Sequence, residues 1–181
     1  MTAPLLSALR PVLVLFLLAA PVGGEATGER YETLLAELRQ AQTEAEADRL
    51  NGEIWQIWLT APDEAAQEVL DAAMLRRQAY DFVGAIRHLD RLVESYPDYA
   101  EGWNQRATMY FLIGDFERSL ADVDEVLARE PRHFGALSGK AMILFQQGKV
   151  PLAQIAVREA LKHHPFLAER AILNAPSGTE L

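Results

Sequence analysis

Apolar residues in this chain recur at helical spacing for most of its length. Tyr31, Leu34, Leu35 and Leu38 form one apolar stripe, as expected for a half-buried helix. Thr43 followed three residues later by Glu46 reads as a capping box, in which each side chain satisfies a free amide at a helix start. The helix it opens carries Leu50, Ile54, Ile57 and Trp58 on one side, with Trp55 and Leu59 beside them, and Pro62 closes it. From residue 64 onward the pattern repeats. Pro97, Pro131 and Pro165 are spaced by 34 residues, and so are Ala73, Ala107 and Ala141, then Ala85, Ser119 and Ala153. Leu92, Val126 and Ala160, with Val93, Leu127 and Leu161, keep the same step. Small residues recur where helices must cross closely, and larger aliphatic ones recur where gaps need filling.

Each unit predicts helix, tight turn, helix and short loop. The first helices are expected at 64–79, 100–113 and 134–147, the second at 82–95, 116–129 and 150–163. Gly114 and Gly148 stand where a first helix ends, a place that favours the left-handed backbone of glycine. Asp81 and Asp115 follow as N-cap candidates. Pro151 falls in a first turn, where proline is tolerated, while the spaced prolines stop each second helix.

The 34-residue helix pairs, with Trp103, Ala107, Gly114, Ser119 and Pro131 in the middle copy and Ala141, Gly148, Ala153 and Pro165 in the next, resemble the tetratricopeptide repeat. The resemblance covers residues 66–99, 100–133 and 134–167. It implies an all-α, right-handed solenoid whose first helices line a concave groove, and a non-catalytic scaffold that binds a protein or peptide. Three departures stand out. Tyr80 replaces the turn glycine, Arg76 stands where later copies have Tyr110 and Leu144, and Arg106 and Lys140 occupy a position that is usually leucine. A solenoid needs its end units covered. Residues 27–62 are therefore expected to form an N-terminal capping helix pair, the alternative being that Trp55 and Trp58 dock a partner or lipid. Residues 168–181 are expected to give a short capping helix, its apolar face made by Ala171, Ile172 and Leu173 together with Leu167 just before it, and a tail.

Charge and the amino-terminal segment narrow the setting. Seventeen Lys and Arg against 26 Asp and Glu give a net charge of −9, which argues against nucleic acid and anionic lipid as partners. There is no cysteine, so thiol chemistry and disulfides are excluded. Residues 1–26 read as a secretory signal: Arg10, then the apolar run Val12 to Ala20, then Pro21, Gly23 and Gly24. An exported, bacterial periplasmic protein is expected, with cleavage after Gly24 or Ala26. The alternatives are an uncleaved segment that anchors the chain to a membrane and an ordinary buried helix.

Catalytic and metal chemistry find no support in the residues. The histidines 88, 133, 163 and 164 make no metal-binding pair on a helix face, and His88, His163 and His164 are expected to face solvent. No phosphate-binding glycine loop or nucleophile elbow is present. Acid pairs such as Asp122 and Asp124 are expected to be solvated charges. No cofactor is implied. The first helices do carry one stripe, stepping by three and four, and its candidate partner-binding residues are Leu70, Met74, Asn104, Thr108, Phe111, Ser138, Met142 and Phe145. Such Met- and Phe-rich surfaces adapt to a peptide or helix; the alternative is that these side chains complete packing between units. Some members of the family grip a C-terminal carboxylate with Lys, Asn and Arg at positions that here are Leu70, Met74, Gln105, Gly135 and Gly139, so that mode is not expected. A self-assembling structural protein of the cell envelope is the rival reading, because an uncovered end unit can stack on its twin.

Overall fold

The computed structural model describes residues 22–176. Most of the expected signal segment lies outside the described residues. The elements run α1 (Val22–Gln40), α2 (Glu44–Trp58), α3 (Glu64–Gln78), α4 (Phe82–Ser95), α5 (Ala100–Leu112), α6 (Phe116–Arg129), α7 (Phe134–Gln146), α8 (Val150–Leu161) and a 3₁₀ segment, Ala168–Asn174. Among the described residues no strand occurs. Helices α3–α4, α5–α6 and α7–α8 pair as hairpins, α4 packs on α5 and α6 on α7, and the 3₁₀ segment closes over α8.

Local chemistry sets the helix ends. Gly114 and Gly148 turn with φ of 78° and 72°, and the following amides of Asp115 and Lys149 donate back to Tyr110 and Leu144 carbonyls at 2.9 Å. Tyr80 makes the same turn with φ 57°, and Asp81 N–H reaches the Arg76 carbonyl at 2.9 Å. A side chain in this region costs roughly 1–2 kcal/mol. Tyr80→Gly should therefore raise stability by about 0.5–1 kcal/mol in a urea titration, the strain relief being partly offset by glycine's greater freedom in the unfolded chain; a loss of stability would show that the turn is not strained. Asp63, Asp81 and Asp115 cap their helices by accepting from the amides of Ala66, Gly84 and Arg118. Thr43 accepts from Glu46 N–H at 3.2 Å, while the Glu46 carboxylate returns to the amide of Gln42, one residue before the cap.

The recurring small residues form the seams. Ala73, Ala107 and Ala141 are buried, as are Ala85, Ser119 and Ala153. The Ser119 hydroxyl donates to the Ala107 carbonyl at 2.7 Å. Added bulk there forces strain, so Ala107→Leu should cost about 1–3 kcal/mol by chemical denaturation; an effect near zero would mean the seam runs elsewhere.

Asp122 is buried, contrary to the expectation of a solvated charge. The reason is Arg106. Its guanidinium binds both Asp122 oxygens at 2.8 Å and Asp90 at 2.9 Å, and lies 4.9 Å from the Trp103 ring centroid. An ion pair thus fills the position that leucine usually takes in such repeats. Lys140 does the same more openly, reaching Asp124 at 2.8 Å.

The amino-terminal helix pair sits elsewhere than over the end of the array. Leu34, Leu35, Leu38, Leu50, Ile54 and Trp58 form one core with Phe134 of α7, and Phe166 and Leu167 pack against it. Helices α1 and α2 therefore lie along the edge where the first helices of the repeats begin, spanning from the first unit to the segment after α8. Their apolar faces match each other as the periodicity requires, but the surface they cover belongs to residues about one hundred positions away.

This docking also buries His164, which is only 4% exposed rather than solvent-facing. Its Nδ1 accepts from Phe166 N–H at 3.3 Å, and its ring meets Phe134 edge-on at 5.2 Å. Burial holds this imidazole below its ordinary value. The neutral form is favoured in the fold, so its contribution is complete above about pH 6.5 and is lost as pH falls through the folded pKa. The urea midpoint should fall between pH 7.5 and 5.5, and His164→Asn, which keeps an acceptor for Phe166, should flatten that slope; an unchanged slope would assign it to other groups.

Candidate peptide-binding groove

The floor of the concave side begins with a buried polar cluster at the start of α5. The Glu101 carboxylate, 1% exposed, accepts from Asn104 Nδ2 at 3.2 Å, from Gln105 Nε2 and from His133 Nε2 at 3.0 Å. His133 Nδ1 accepts from Ala136 N–H at 3.1 Å. That bond caps α7 and fixes the imidazole as an Nε2–H donor to Glu101. Every member is paired, as a buried polar network requires. The network was not legible from the motifs, because a histidine is not a usual N-cap and its carboxylate lies 32 residues earlier.

The helix pair covers this cluster. Trp58 stacks on the His133 ring at 3.8 Å, and Trp55 meets the same ring edge-on at 5.7 Å. Trp55 also lies against Gly135, where a Cβ would fall 2.8 Å from its ring. Only glycine permits that approach. The Tyr99 hydroxyl donates to the Trp58 carbonyl at 2.8 Å. Outside this apolar contact runs a polar strut: Trp58 Nε1–H donates to Tyr31 at 3.1 Å, Tyr31 donates to Glu130 at 2.9 Å, and Arg132 grips Glu32 at 2.8 and 2.9 Å while also binding Glu130. Burial and the Glu130 carboxylate push the Tyr31 phenol up. Burial also pushes the Glu130 carboxyl up, but hydrogen bonds from Arg132 and Tyr31 outweigh it and hold that group below the usual range.

The lower part of the groove is thus occupied by the chain's own α2, which sorts the candidate stripe into two sets. Leu70, Asn104 and Ser138 are buried rather than open to a partner. Leu70 lies in a core with Leu59 and Ala61 from the segment after α2, and Asn104 is committed to Glu101. Farther up, Met74, Thr108, Phe111 and Met142 are half-buried and Phe145 is 42% exposed. Phe111 leans on Phe116 with ring centroids 5.8 Å apart. Leu112 and Ile113, which the stripe did not include, are exposed beside them. Between α5 and α7 a chamber of about 100 Å³ opens, lined by Ala107, Thr108, Phe111, Gly139, Met142 and their neighbours.

Helix pairs stacked in a row, with an apolar chamber between α5 and α7, define a helical-repeat fold. The chain belongs to the tetratricopeptide repeat family, whose profile matches residues 70–121 and 113–168. It is 33% identical over 137 residues, or 76% of its own length and 67% of the other's, to a TPR repeat-containing protein of Rhizobium etli. Among solved structures it resembles the first TPR of Spaghetti bound to an HSP90 peptide, with a TM-score of 0.57 at 18% identity over 60% of this chain and 90% of that one. The TPR2B domain of yeast Sti1 in an Hsp70 complex gives 0.56 at 18% over 61% and 91%.

Proposed function

We propose that this protein is a non-catalytic scaffold that holds a segment of a partner protein on the upper half of its concave face. The observation that carries this reading is the run of half-buried and exposed apolar side chains above α2, from Met74 through Leu112 to Met142 and Phe145. The HSP90-peptide complex of the Spaghetti domain and the Hsp70 complex of the Sti1 domain support it as a use of this fold. The terminal-carboxylate grip is not the mode here, since Leu70 is buried and glycines stand at 135 and 139.

Because Phe145 is exposed, Phe145→Ala should change stability by less than about 0.5 kcal/mol and weaken partner binding by about 2 kcal/mol, roughly 30-fold. A photo-crosslinking residue at position 142 identifies the captured partner in living cells, and its affinity for the Phe145→Ala variant then decides. A large stability loss, or unchanged affinity, would remove Phe145 from the site.

The setting is proposed from residues 1–26, which carry the order of a secretory signal, as export to a bacterial periplasm. Mass spectrometry of the mature amino terminus tests this, an intact Met1 on membrane-held protein favouring an anchor. A second reading, self-assembly, draws on Leu152 and Ile155, which are 52% and 60% exposed on α8 beside Leu127 and Leu144. Light scattering separates the two, because a concentration-independent monomer excludes self-assembly.

A further inference from the structure

The chamber between α5 and α7 has the chemistry of a side-chain pocket. Two hydroxyls border it, and both are committed elsewhere: Thr108 donates to the Asn104 carbonyl at 2.9 Å, and Ser119 to the Ala107 carbonyl at 2.7 Å. Thr108 therefore offers its methyl group. The rest of the wall includes Ala107, Phe111 and Met142. At Gly139 a Cβ would meet nothing within 4 Å, so the space in front of α7 is open at that residue. A cavity of about 150 Å³ holds a benzene ring; one of about 100 Å³ suits a branched aliphatic side chain.

Charge sets the other end. The hollow between α3 and α5 is lined by Met74, Arg77, Gln78 and Leu112. Arg77 is exposed, and among the described residues its guanidinium meets only the Gln105 side-chain oxygen, at 3.5 Å. No carboxylate among the described residues pairs with it, whereas its neighbour Arg76 is held by Asp81 and the nearby Glu101 is committed to Asn104, Gln105 and His133. An occupant that crosses this hollow gains by bringing a carboxylate. Packed helices lie about 8–10 Å apart, which puts Arg77 roughly three to five extended residues, at about 3.3 Å each, from the chamber. Trp55 and Trp58 of α2 already fill the groove beside His133 and Gly135, so the occupant is confined to the face above them.

Resting on the groove function proposed above, we infer that the groove reads an extended internal segment of its partner, with one branched aliphatic side chain in the α5–α7 chamber and a carboxylate on Arg77. The test displays a random library of 12-residue peptides, tethered at both ends, against the full chain. Selected peptides should share a Leu, Ile or Val with an Asp or Glu roughly three to five positions away. Gly139→Leu, which fills the chamber, should weaken them about ten- to thirty-fold, the worth of one aliphatic side chain left outside its pocket, with little change in melting. Arg77→Glu should turn the acidic preference basic. If Gly139→Leu does not fold, Thr108→Leu narrows the same chamber from α5 and must give the same loss. Peptides that lose affinity to Phe145→Ala but ignore Gly139→Leu and show no acidic preference would overturn this inference and leave the groove reading standing. No enriched peptide, or binding indifferent to Phe145→Ala and Gly139→Leu alike, would overturn both.

Discussion

Trp58→Ala is expected to destabilise the protein by about 3–5 kcal/mol, the range for deleting a large buried aromatic. The side chain is 9% exposed. Its ring stacks on His133, packs on Phe134 at 4.8 Å and meets Trp55 and Tyr31 edge-on, and its Nε1–H supports the Tyr31 hydroxyl. Removal leaves a cavity against an imidazole whose other bonds are fixed by Glu101 and the start of α7. Trp58→Phe keeps a ring for stacking and should lose less than half as much. Urea titrations followed by far-ultraviolet circular dichroism give both values. A loss below about 1 kcal/mol for alanine would mean that the helix pair is not docked on His133 and Phe134.

Arg106→Ala should cost a similar amount, about 3–5 kcal/mol, for a different reason: it leaves the Asp122 carboxylate buried without its cation. The Asp122 side chain is 6% exposed and the Arg106 side chain 16%, so water cannot easily replace the pair. Asp90, the second acceptor, is 49% exposed and stays solvated when Arg106 is gone. Leucine at both 106 and 122 should recover most or all of the loss, because a buried ion pair can often be exchanged for apolar packing without cost. Burial already pushes the Asp122 carboxyl up against the pull of Arg106. Without the guanidinium that carboxyl rises further, and its raised pKa makes the fold prefer the protonated acid. The deficit of Arg106→Ala should therefore shrink as pH is lowered from 7 to 5. A deficit that grows with acid, or a double variant no better than the single, would refute this account.

The three repeats could be read in advance because their evidence is local and periodic. Pro97, Pro131 and Pro165 and the alanines at 73, 107 and 141 each report on a helix crossing a few residues away, and the crossing recurs. Tyr80 shows the limit of that logic, since the turn it makes is set by position in the unit and overrides the preference of the side chain. The seat of α1 and α2 was beyond reach for a related reason. Tyr31, Leu38, Leu50 and Ile54 declare that the helices have apolar faces, but not which surface receives them. That choice is made by pairs such as Tyr31 with Glu130 and Glu32 with Arg132, 99 and 100 residues apart. Leu70, Asn104 and Ser138 entered the candidate stripe because the periodicity that finds the groove wall cannot see what already lies on it. One sequence signal does exist: Tyr99, His133 and Leu167 share a single repeat position, and all three meet the helix pair or its core.

That shared position bears on how the molecule comes apart. In a stack whose members touch only their neighbours, each junction contributes its own term, ends fray first and loss can proceed one unit at a time, as in a one-dimensional chain of coupled spins. Here Tyr99, His133 and Leu167 fasten successive units to one common partner, which adds couplings beyond nearest neighbours. The sequential ladder of partly melted species is thereby suppressed. Hydrogen exchange under mildly denaturing conditions should show the amides of α3, α5 and α7 opening together, as a single cooperative block, with a graded order of protection returning only when Trp58 is removed.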